Sequence, residues 1–430
     1  MLNLKKKNTD NIILFFIYLL PIFFILGNPF TNFFVIFICI SLFYFKDFEF
    51  RSIKKIIYFL IFFCLIVILS SLNSKYIEFS LIKSSSYLRF IIFMIVFPFI
   101  LKKLENRFEK IGIIFLIIIF FIIFDSLIQL FYGRDIFGIR NDNLGNYYRL
   151  SGPFGDELIV GNFVLYFGII GFYFLFKKKQ FSNTKIILFF LILGLFSFLS
   201  GERNTFLSFF IFMFFLFFLS KKKLSVILSS LILILFSIII FLNSERYNFK
   251  YNINNVQQAE LIEHKNNYTS KQKSQKTFSS LKNKLNNSIW FYHYRAGLYI
   301  FFDNKYLGSG FKTFRFACQD LLKEMNSQKK ETIICTSHPH NFYIELLSDT
   351  GILGFLYFII CMIILLLNCL RDNFRSYSFE KSVLISLFIT FIFPFKPHGS
   401  LFSTSTAFIF WILLSILIYE IFIKNIKNAK

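Results

Sequence analysis

Two histidines, His338 and His340, are the side chains whose type and spacing most directly suggest chemistry. An imidazole can accept a proton near neutral pH, so His340 is a candidate general base; His338 is either an accessory group or a structural one. Pro339 lies between them and Asn341 follows, a pattern that predicts a helix start at this point. We therefore expect His340 on the membrane surface, at the mouth of a helix bundle.

Arginines supply the second kind of chemistry, because a planar guanidinium can hold a phosphate through two parallel hydrogen bonds. Arg203 lies in a tight turn between two apolar runs. An arginine at that depth is costly unless it is paired, so we expect a phosphate ligand; a side chain that only reaches the lipid headgroups is the alternative. Arg295, on a short helical pattern, is a second candidate. The alternative is an arginine on a helix face that is simply exposed to solvent. Arg149 and Arg315 are candidates for substrate binding.

The chain has six cysteines, of which Cys318 and Cys335 are the two that fall in the long segment 244–345. A disulfide between them would close a loop of about 17 residues and contribute roughly 3 kcal/mol in the chain-entropy model. Two unpaired thiols are the alternative. The disulfide is the prediction, because it fits an oxidising compartment outside the cytoplasm.

A metal site is the other use that these residues suggest, since Cys335 precedes His338 and His340 closely. Pro339 between the histidines makes a shared tetrahedral ligand set awkward, and no carboxylate or thiol cluster lies nearby in the sequence. We therefore predict that the protein binds no metal and needs no cofactor.

The composition explains what must position these groups. Of 430 residues, 56% are hydrophobic, and the mean hydropathy is +0.62. The apolar residues come in blocks that approach the ~20 needed to cross ~30 Å of hydrocarbon. The net charge of +23 sits largely in short clusters at the ends of these blocks, such as 177–179 and 221–223. That distribution is typical of cytoplasmic loops on anionic lipid, so we expect membrane lipids, and no nucleic acid, as partners.

The fold class predicted is an all-α polytopic membrane protein of about twelve transmembrane helices. The predicted spans are 11–27, 32–45, 56–73, 86–101, 111–131, 157–176, 186–200, 204–220, 224–243, 346–370, 382–395 and 401–423. The lysine and arginine bias of the short loops places both termini in the cytoplasm. All five histidines then lie on the outer side.

Three regions follow from these spans. Residues 1–243 hold nine helices, 244–345 form one large outer loop, and 346–430 hold three helices. Within the loop, 247–288 is rich in Asn, Lys, Gln and Ser and is predicted to be flexible. Residues 289–345 are predicted to be the ordered, catalytic part, with a helix that ends at 303–304 and a second over 313–323.

Four motifs in this order resemble the O-antigen ligase and O-antigen polymerase superfamily of bacterial envelope glycosyltransferases. Residues 340–354, from the histidine to a glycine, are similar to the signature that follows the family's large periplasmic loop. Residues 304–311 resemble its Pro-Leu-Leu-Gly-x-Gly turn, although Lys305 and Tyr306 depart from the proline-containing form. Residues 200–204 resemble its Ser/Thr-Gly-x-Arg turn, and 149–154 its Arg-x-x-Gly-x-Phe element. The resemblance covers roughly residues 130–370.

The resemblance implies an enzyme of the bacterial inner membrane with its active site on the periplasmic face. Such enzymes take a glycan from a polyprenyl-diphosphate carrier; ligases pass it to lipid A–core, and polymerases to another carrier-linked repeat. Displacing a diphosphate requires cations and a base. The implied catalytic residues are His340, Arg203 and Arg295, and Glu157 could orient an arginine. We favour the ligase over the polymerase; a transporter or flippase for the same lipid-linked glycan is the alternative from another class.

Overall fold

The computed structural model describes residues 2–43, 49–140, 149–244, 247, 289–328 and 333–424. Over these ranges the chain is all-helical and contains no β-strand, as predicted. The helices are α1 Leu2–Tyr18, α2 Leu20–Ile25, α3 Asn28–Ile40, α4 Lys54–Leu72, α5 Ile77–Lys103, α6 Phe108–Tyr132, α7 Val160–Phe176, α8 Asn183–Leu199, α9 Arg203–Leu219, α10 Lys223–Asn243, α11 Ile289–Asp303, α12 Phe314–Gln328, α13 Phe342–Arg375, α14 Phe379–Phe391 and α15 Thr404–Ile418. Residues 248–288 of the segment predicted to be flexible lie outside the described residues.

Each predicted span overlaps a helix, but two differ from the prediction. The first span is divided into α1 and α2, with Leu19 between them. Pro21 explains the division, because proline has no N–H to donate and its ring clashes with the preceding turn. The fourth span belongs to α5, which begins at Ile77, well before the predicted start at 86. Its first turns carry Lys83 and serines, polar residues that the hydropathy pattern excludes from a span.

Six helices among the described residues are long and apolar enough to cross a membrane by length and composition. They include α5, α6, α10 and α13, together with α4 and α15 when the short turns that extend them are counted. Four shorter apolar helices, α3, α7, α8 and α9, accompany them. The protein is therefore a multi-pass membrane protein.

Small residues allow close helix packing at the centre of the bundle, and the last helix, α15, is surrounded by other helices. A Cβ added to Gly112 of α6 would lie 2.8 Å from the carbonyl oxygen of Gly171 in α7, so these two backbones approach closely. Helix α15 contacts α3, α5 and α14, and its side chains from Ala407 to Ile418 are buried.

The two helices of the large loop share a small apolar core of their own. Helix α11 packs against α12 and α13. Cys318 of α12 forms a disulfide with Cys335, with 5.6 Å between the Cα atoms. Asp320 accepts hydrogen bonds from the Lys75 ammonium and the Tyr76 hydroxyl, both at 2.6 Å. The disulfide and these bonds fasten α12 to the segment that precedes Pro339 and to the turn between α4 and α5.

Helix α13 is kinked at Gly351, where φ is 65° and ψ is −169°. A kink frees backbone groups that must find partners elsewhere in a membrane protein. The turn over residues 305–310 supplies them: Ser309 and Gly310 donate to the carbonyl oxygens of Ser348 and Asp349 at 2.8 and 3.1 Å. In return, the carbonyl of Lys305 accepts from the backbone of Ile352 at 2.8 Å. Two motifs that are separate in the sequence therefore form one structural unit.

Candidate functional site

The two histidines of the 337–341 stretch meet a third from α11. The ring centroid of His340 lies 4.3 Å from that of His338 and 4.9 Å from that of His293. Trp290, one turn before His293, presents its ring at 5.1 Å from His340. The structure therefore brings His338 and His340 together with α11, at the point where α13 begins.

The backbone around His340 is held from both sides. Its φ of 56° lies in the left-handed region, and its carbonyl oxygen accepts a 2.7 Å hydrogen bond from the backbone N–H of His398. Asn341 caps α13 as predicted, because its Oδ1 accepts from the amide of Tyr343 at 2.9 Å. Its Nδ2 donates to the carbonyl of Pro394 at 3.0 Å. The connection between α14 and α15 thus fixes the backbone that carries the candidate base.

Burial keeps both rings neutral. Desolvation, followed by the neighbouring His338 and His293, lowers the pKa of His340 to about 3. Desolvation likewise lowers the pKa of His338 to about 4, and the cations Lys312 and Arg315 contribute. A neutral His340 is in the state required of a proton acceptor. A bound anion nearby would raise its pKa and so strengthen it as a base.

Lys312 and Arg315 act on His338, and Lys83 and Arg89 join them around Lys312; of these four cations, only Arg315 was predicted from the sequence as a site residue. Burial lowers the pKa of Lys312, and the charges of Lys83, Arg315 and Arg89 lower it further. The Lys312 Nζ donates to the carbonyl of Phe402 at 3.0 Å. A signal for Lys312 was present, since it directly follows the glycine turn 304–311. For Lys83 and Arg89, both on α5, no sequence signal other than their charge indicated a role in the site.

Two buried carboxylates organise this cation cluster, and both were missed although they lie within the 340–354 motif. Glu345 accepts hydrogen bonds from the Ser400 hydroxyl and the Leu401 amide, and its charge acts on Lys312. Asp349 accepts from the amides of Lys312 at 2.9 Å and Phe314 at 3.1 Å. The second bond lies at the N-terminus of α12, where a carboxylate is favourable. Asp349 thereby fixes Lys312 and the start of the helix that carries Arg315.

The 200–204 turn lies next to the same α14–α15 connection. The Asn204 Nδ2 donates to the carbonyl of Pro397 at 3.0 Å, one residue before the amide that binds His340. Arg203 itself is exposed at the start of α9. The turns that carry Arg203 and His340 therefore both bind residues 397–398.

Arg149 lies beside Glu202, a carboxylate that was not predicted from the sequence to take part in the site. Burial raises the pKa of Glu202, and the charge of Arg149 opposes the rise. Glu202 also accepts from the amide of Gly161 at 2.6 Å, so it caps the N-terminus of α7. The Arg149 Nη2 donates to the carbonyl of Leu158 at 2.6 Å. Arg149 thus takes part in a structural cap. Glu157, which lies in the turn before α7, is exposed.

Arg295 lies on a different face of α11 from His293, because two residues correspond to roughly 200° around a helix. Its guanidinium lies over the ring of Phe291, 4.9 Å from the centroid. Helix α11 therefore has two faces: one carries His293 and packs against His340, and the other carries Arg295.

None of the His, Cys, Asp and Glu side chains that the structure describes form a group of three or more suited to a metal ion. The three clustered histidines are instead packed ring against ring. His293 uses its Nδ1 for a 3.0 Å hydrogen bond with the carbonyl of Ile334.

Comparison with known proteins agrees with the motifs. Residues 187–359 match the family described as O-antigen ligase. The match includes the 200–204 turn, the ordered loop helices, the glycine turn and the His340 motif; the 149–154 element lies before it. No curated protein matches the chain. The match over residues 187–359 supports the predicted resemblance of this membrane protein to the O-antigen ligase and polymerase superfamily.

Proposed function

We propose that the protein is an O-antigen ligase-like glycosyltransferase, which moves a glycan from a polyprenyl-diphosphate carrier to lipid A–core on the periplasmic face of the bacterial inner membrane. The acceptor hydroxyl attacks the anomeric carbon of the glycan, and its proton passes to His340. The bond from that carbon to the phosphate oxygen breaks, and the diphosphate leaves on the carrier. Both termini are then cytoplasmic, and residues 289–345 form the ordered part of the periplasmic loop.

The observation that carries the proposal is the neutral His340 packed against His338, a ring that the charges of Lys312 and Arg315 reach. Lys312 and Arg315 are close enough to the histidines to affect the pKa of His338. Cations at that place would hold the diphosphate and oppose the charge that develops on it. We assign Lys312 and Arg315 to donor binding, with Arg203 and Arg295 as further phosphate ligands that the loaded site would recruit. Arg149, expected from the sequence to bind substrate, is assigned instead to the cap of α7.

A long apolar groove supports a lipid-linked donor. Its volume is about 380 Å³, and it runs between α4, α13 and α15. Tyr87 and Leu401 line one end, and Lys55 and Asn368 line the other. Leu401 connects this groove to the site, because its amide binds Glu345 and its neighbour Phe402 accepts from Lys312. A polyprenyl chain in the groove would bring its diphosphate to the cation cluster.

The polymerase is the second candidate, because it uses the same donor and the same phosphate chemistry. The acceptor distinguishes the two enzymes, and the disulfide-fastened loop together with the His-Pro-His-Asn stretch leads us to favour the ligase.

The test is the envelope glycolipid profile of a deletion strain that carries wild type, His340→Ala or Arg203→Ala. For a ligase, the mutants leave lipid A–core without polymer while polymer accumulates on the carrier. Lipid A–core capped by a single repeat would instead identify a polymerase. His264→Ala, in the segment predicted to be flexible, and Arg375→Ala, at the opposite end of α13, are the matched controls. Wild-type profiles from both site mutants at normal expression would refute the assignment and favour a transporter.

A further inference from the structure

A second, smaller cavity lies beside the α14–α15 connection that holds His340. Its volume is about 150 Å³. A cavity of that order can hold one six-membered ring. The polar side chains in its wall are Asn162, Tyr166, Asn204, Lys396, His398, Ser405 and Thr406. None of the roles assigned above to the cation cluster uses this cavity.

Lys396 is the unusual member of the wall. Its side chain is 4% exposed, and its Nζ donates to the Tyr166 hydroxyl at 3.2 Å and to the Ser208 hydroxyl at 3.1 Å. Within the described ranges, Lys396 forms no ion pair with a carboxylate, whereas the equally buried Lys381 pairs with Asp372 at 2.6 Å. A buried ammonium without a counter-charge is costly. A bound anion would supply the counter-charge that the protonated Lys396 lacks among the described residues.

Two further features suit an oxyanion that is attached to a hydroxylated ring. The Asn204 Oδ1 is buried and accepts no hydrogen bond from the residues that the structure describes, so it can receive one from a ligand hydroxyl. Ser405 and Thr406 belong to the first turn of α15, and the N-cap Ser403 makes no side-chain cap bond there. The free amides at that end of α15 favour negative charge.

We propose that this cavity, the Lys396 pocket, binds one sugar residue that carries a carboxylate or a phosphate group, with the Lys396 ammonium as its counter-charge. The identity of the ligand as a glycan rests on the proposed function; the anion requirement rests on the pocket alone. Because residues 397–398 bind both Asn204 and His340, an occupied pocket would also fix the connection that positions the candidate base.

Burial lowers the pKa of Lys396 to about 7. The titratable groups that face it are the Tyr166 phenol from α7 and His398 from its own connection; α9 contributes Ser208 and α15 contributes Thr406. Burial, and after it the charge of Lys396, holds the pKa of His398 well below its ordinary value, so that ring is neutral. Anion affinity should therefore fall as the pH rises through 7 and Lys396 loses its proton.

The test is equilibrium binding to the full-length protein in lipid nanodiscs. The probes are glucuronate, whose charge is constant between pH 6 and pH 9, glucose 6-phosphate, inorganic phosphate and uncharged glucose. We expect saturable binding of the two charged sugars, weaker binding of inorganic phosphate, and none of glucose. Lys396→Met should weaken glucuronate binding by about tenfold or more, the loss expected for a charge-assisted hydrogen bond, and should abolish the pH dependence. Lys381→Met is the control for loss of a buried lysine.

Thr406→Val is a second variant, in case Lys396→Met does not fold. It keeps Lys396 and the shape of the side chain, and it should weaken glucuronate binding severalfold. Unchanged glucuronate binding in both variants would overturn the proposal, because the anion would then bind elsewhere, for instance at Lys312. Inorganic phosphate that binds as tightly as glucose 6-phosphate, or glucose as tightly as glucuronate, would overturn the charged-sugar assignment. None of these outcomes depends on glycan transfer, so a failed proposal here leaves the His340→Ala profile as a separate test of function.

Discussion

The backbone N–H of His398 donates a 2.7 Å hydrogen bond to the carbonyl oxygen of His340. The bond joins the connection between α14 and α15 to the start of α13, across more than fifty residues of sequence. It also stabilises His340 in the left-handed region, with φ at 56°. The candidate base is thus oriented by a distant backbone group as well as by its own helix.

Replacing His340 with asparagine should separate chemistry from folding. Asparagine tolerates the left-handed region better than most residues, so we expect a change of less than about 1 kcal/mol in the free energy of unfolding. It cannot accept the proton, so the rate of glycan transfer should fall by roughly 10²–10⁴-fold. The measurements are thermal unfolding in detergent and transfer from a carrier-linked glycan. Near-normal transfer by a well-folded His340→Asn protein would remove His340 from the mechanism.

Lys312 should contribute to donor binding through its charge. Lys312→Met removes the cation that lies between Glu345 and the cluster on α5 and α12. We expect kcat/KM for the donor to fall by about tenfold or more, as for the loss of a charge-assisted contact to phosphate. The dependence of KM on salt should also weaken. Lys185→Met, at the start of α8, is a control with no expected effect; an equal loss in both variants would argue against a specific role for Lys312.

Gly308 should tolerate no side chain. Its φ is 71°, and an added Cβ would lie 2.4 Å from the carbonyl carbon of Asp349. Gly133 has a similar φ of 74° but open space around it. Gly133→Ala should therefore cost only the backbone strain, about 1 kcal/mol, whereas Gly308→Ala should cost several times as much. Thermal unfolding of the two variants measures the difference, and equal shifts would show that the contact with α13 can relax.

The buried histidines should make the fold sensitive to acid. The pKa of His340 is about 3 and that of His338 about 4, below the ordinary value of 6.5. Between those limits the unfolded chain binds more protons than the folded one, so stability is full above pH 6.5 and falls as the pH drops toward 4. His340→Asn should reduce this slope, which unfolding measured between pH 7 and pH 4 would detect. An unchanged slope would mean that other groups cause the acid sensitivity.

Hydropathy and motif order predicted the helices and the family because both are local signals. The cap at Asn341 was predictable for the same reason. Lys396 was not predictable, since what distinguishes it is burial among residues far away in the sequence. Lys312 and Glu345 lie beside or within motifs, but the contact between their charges exists only in the folded chain. The position of Glu157 at the start of the predicted span 157–176 suggests that it could orient an arginine, but the carboxylate that acts on Arg149 is Glu202, which comes near only when α7 and α9 pack together.

The insertion of the 305–310 turn into the kink of α13 has a consequence for related sequences. A Cβ on Gly308 would meet the backbone of Asp349, and one on Gly351 would meet the carbonyl of Tyr306, 2.3 Å away. Neither glycine can change unless the opposite backbone moves. Among relatives, positions 308 and 351 should therefore covary: both remain glycine where the turn fits the kink, and both become free to vary where the kink is lost.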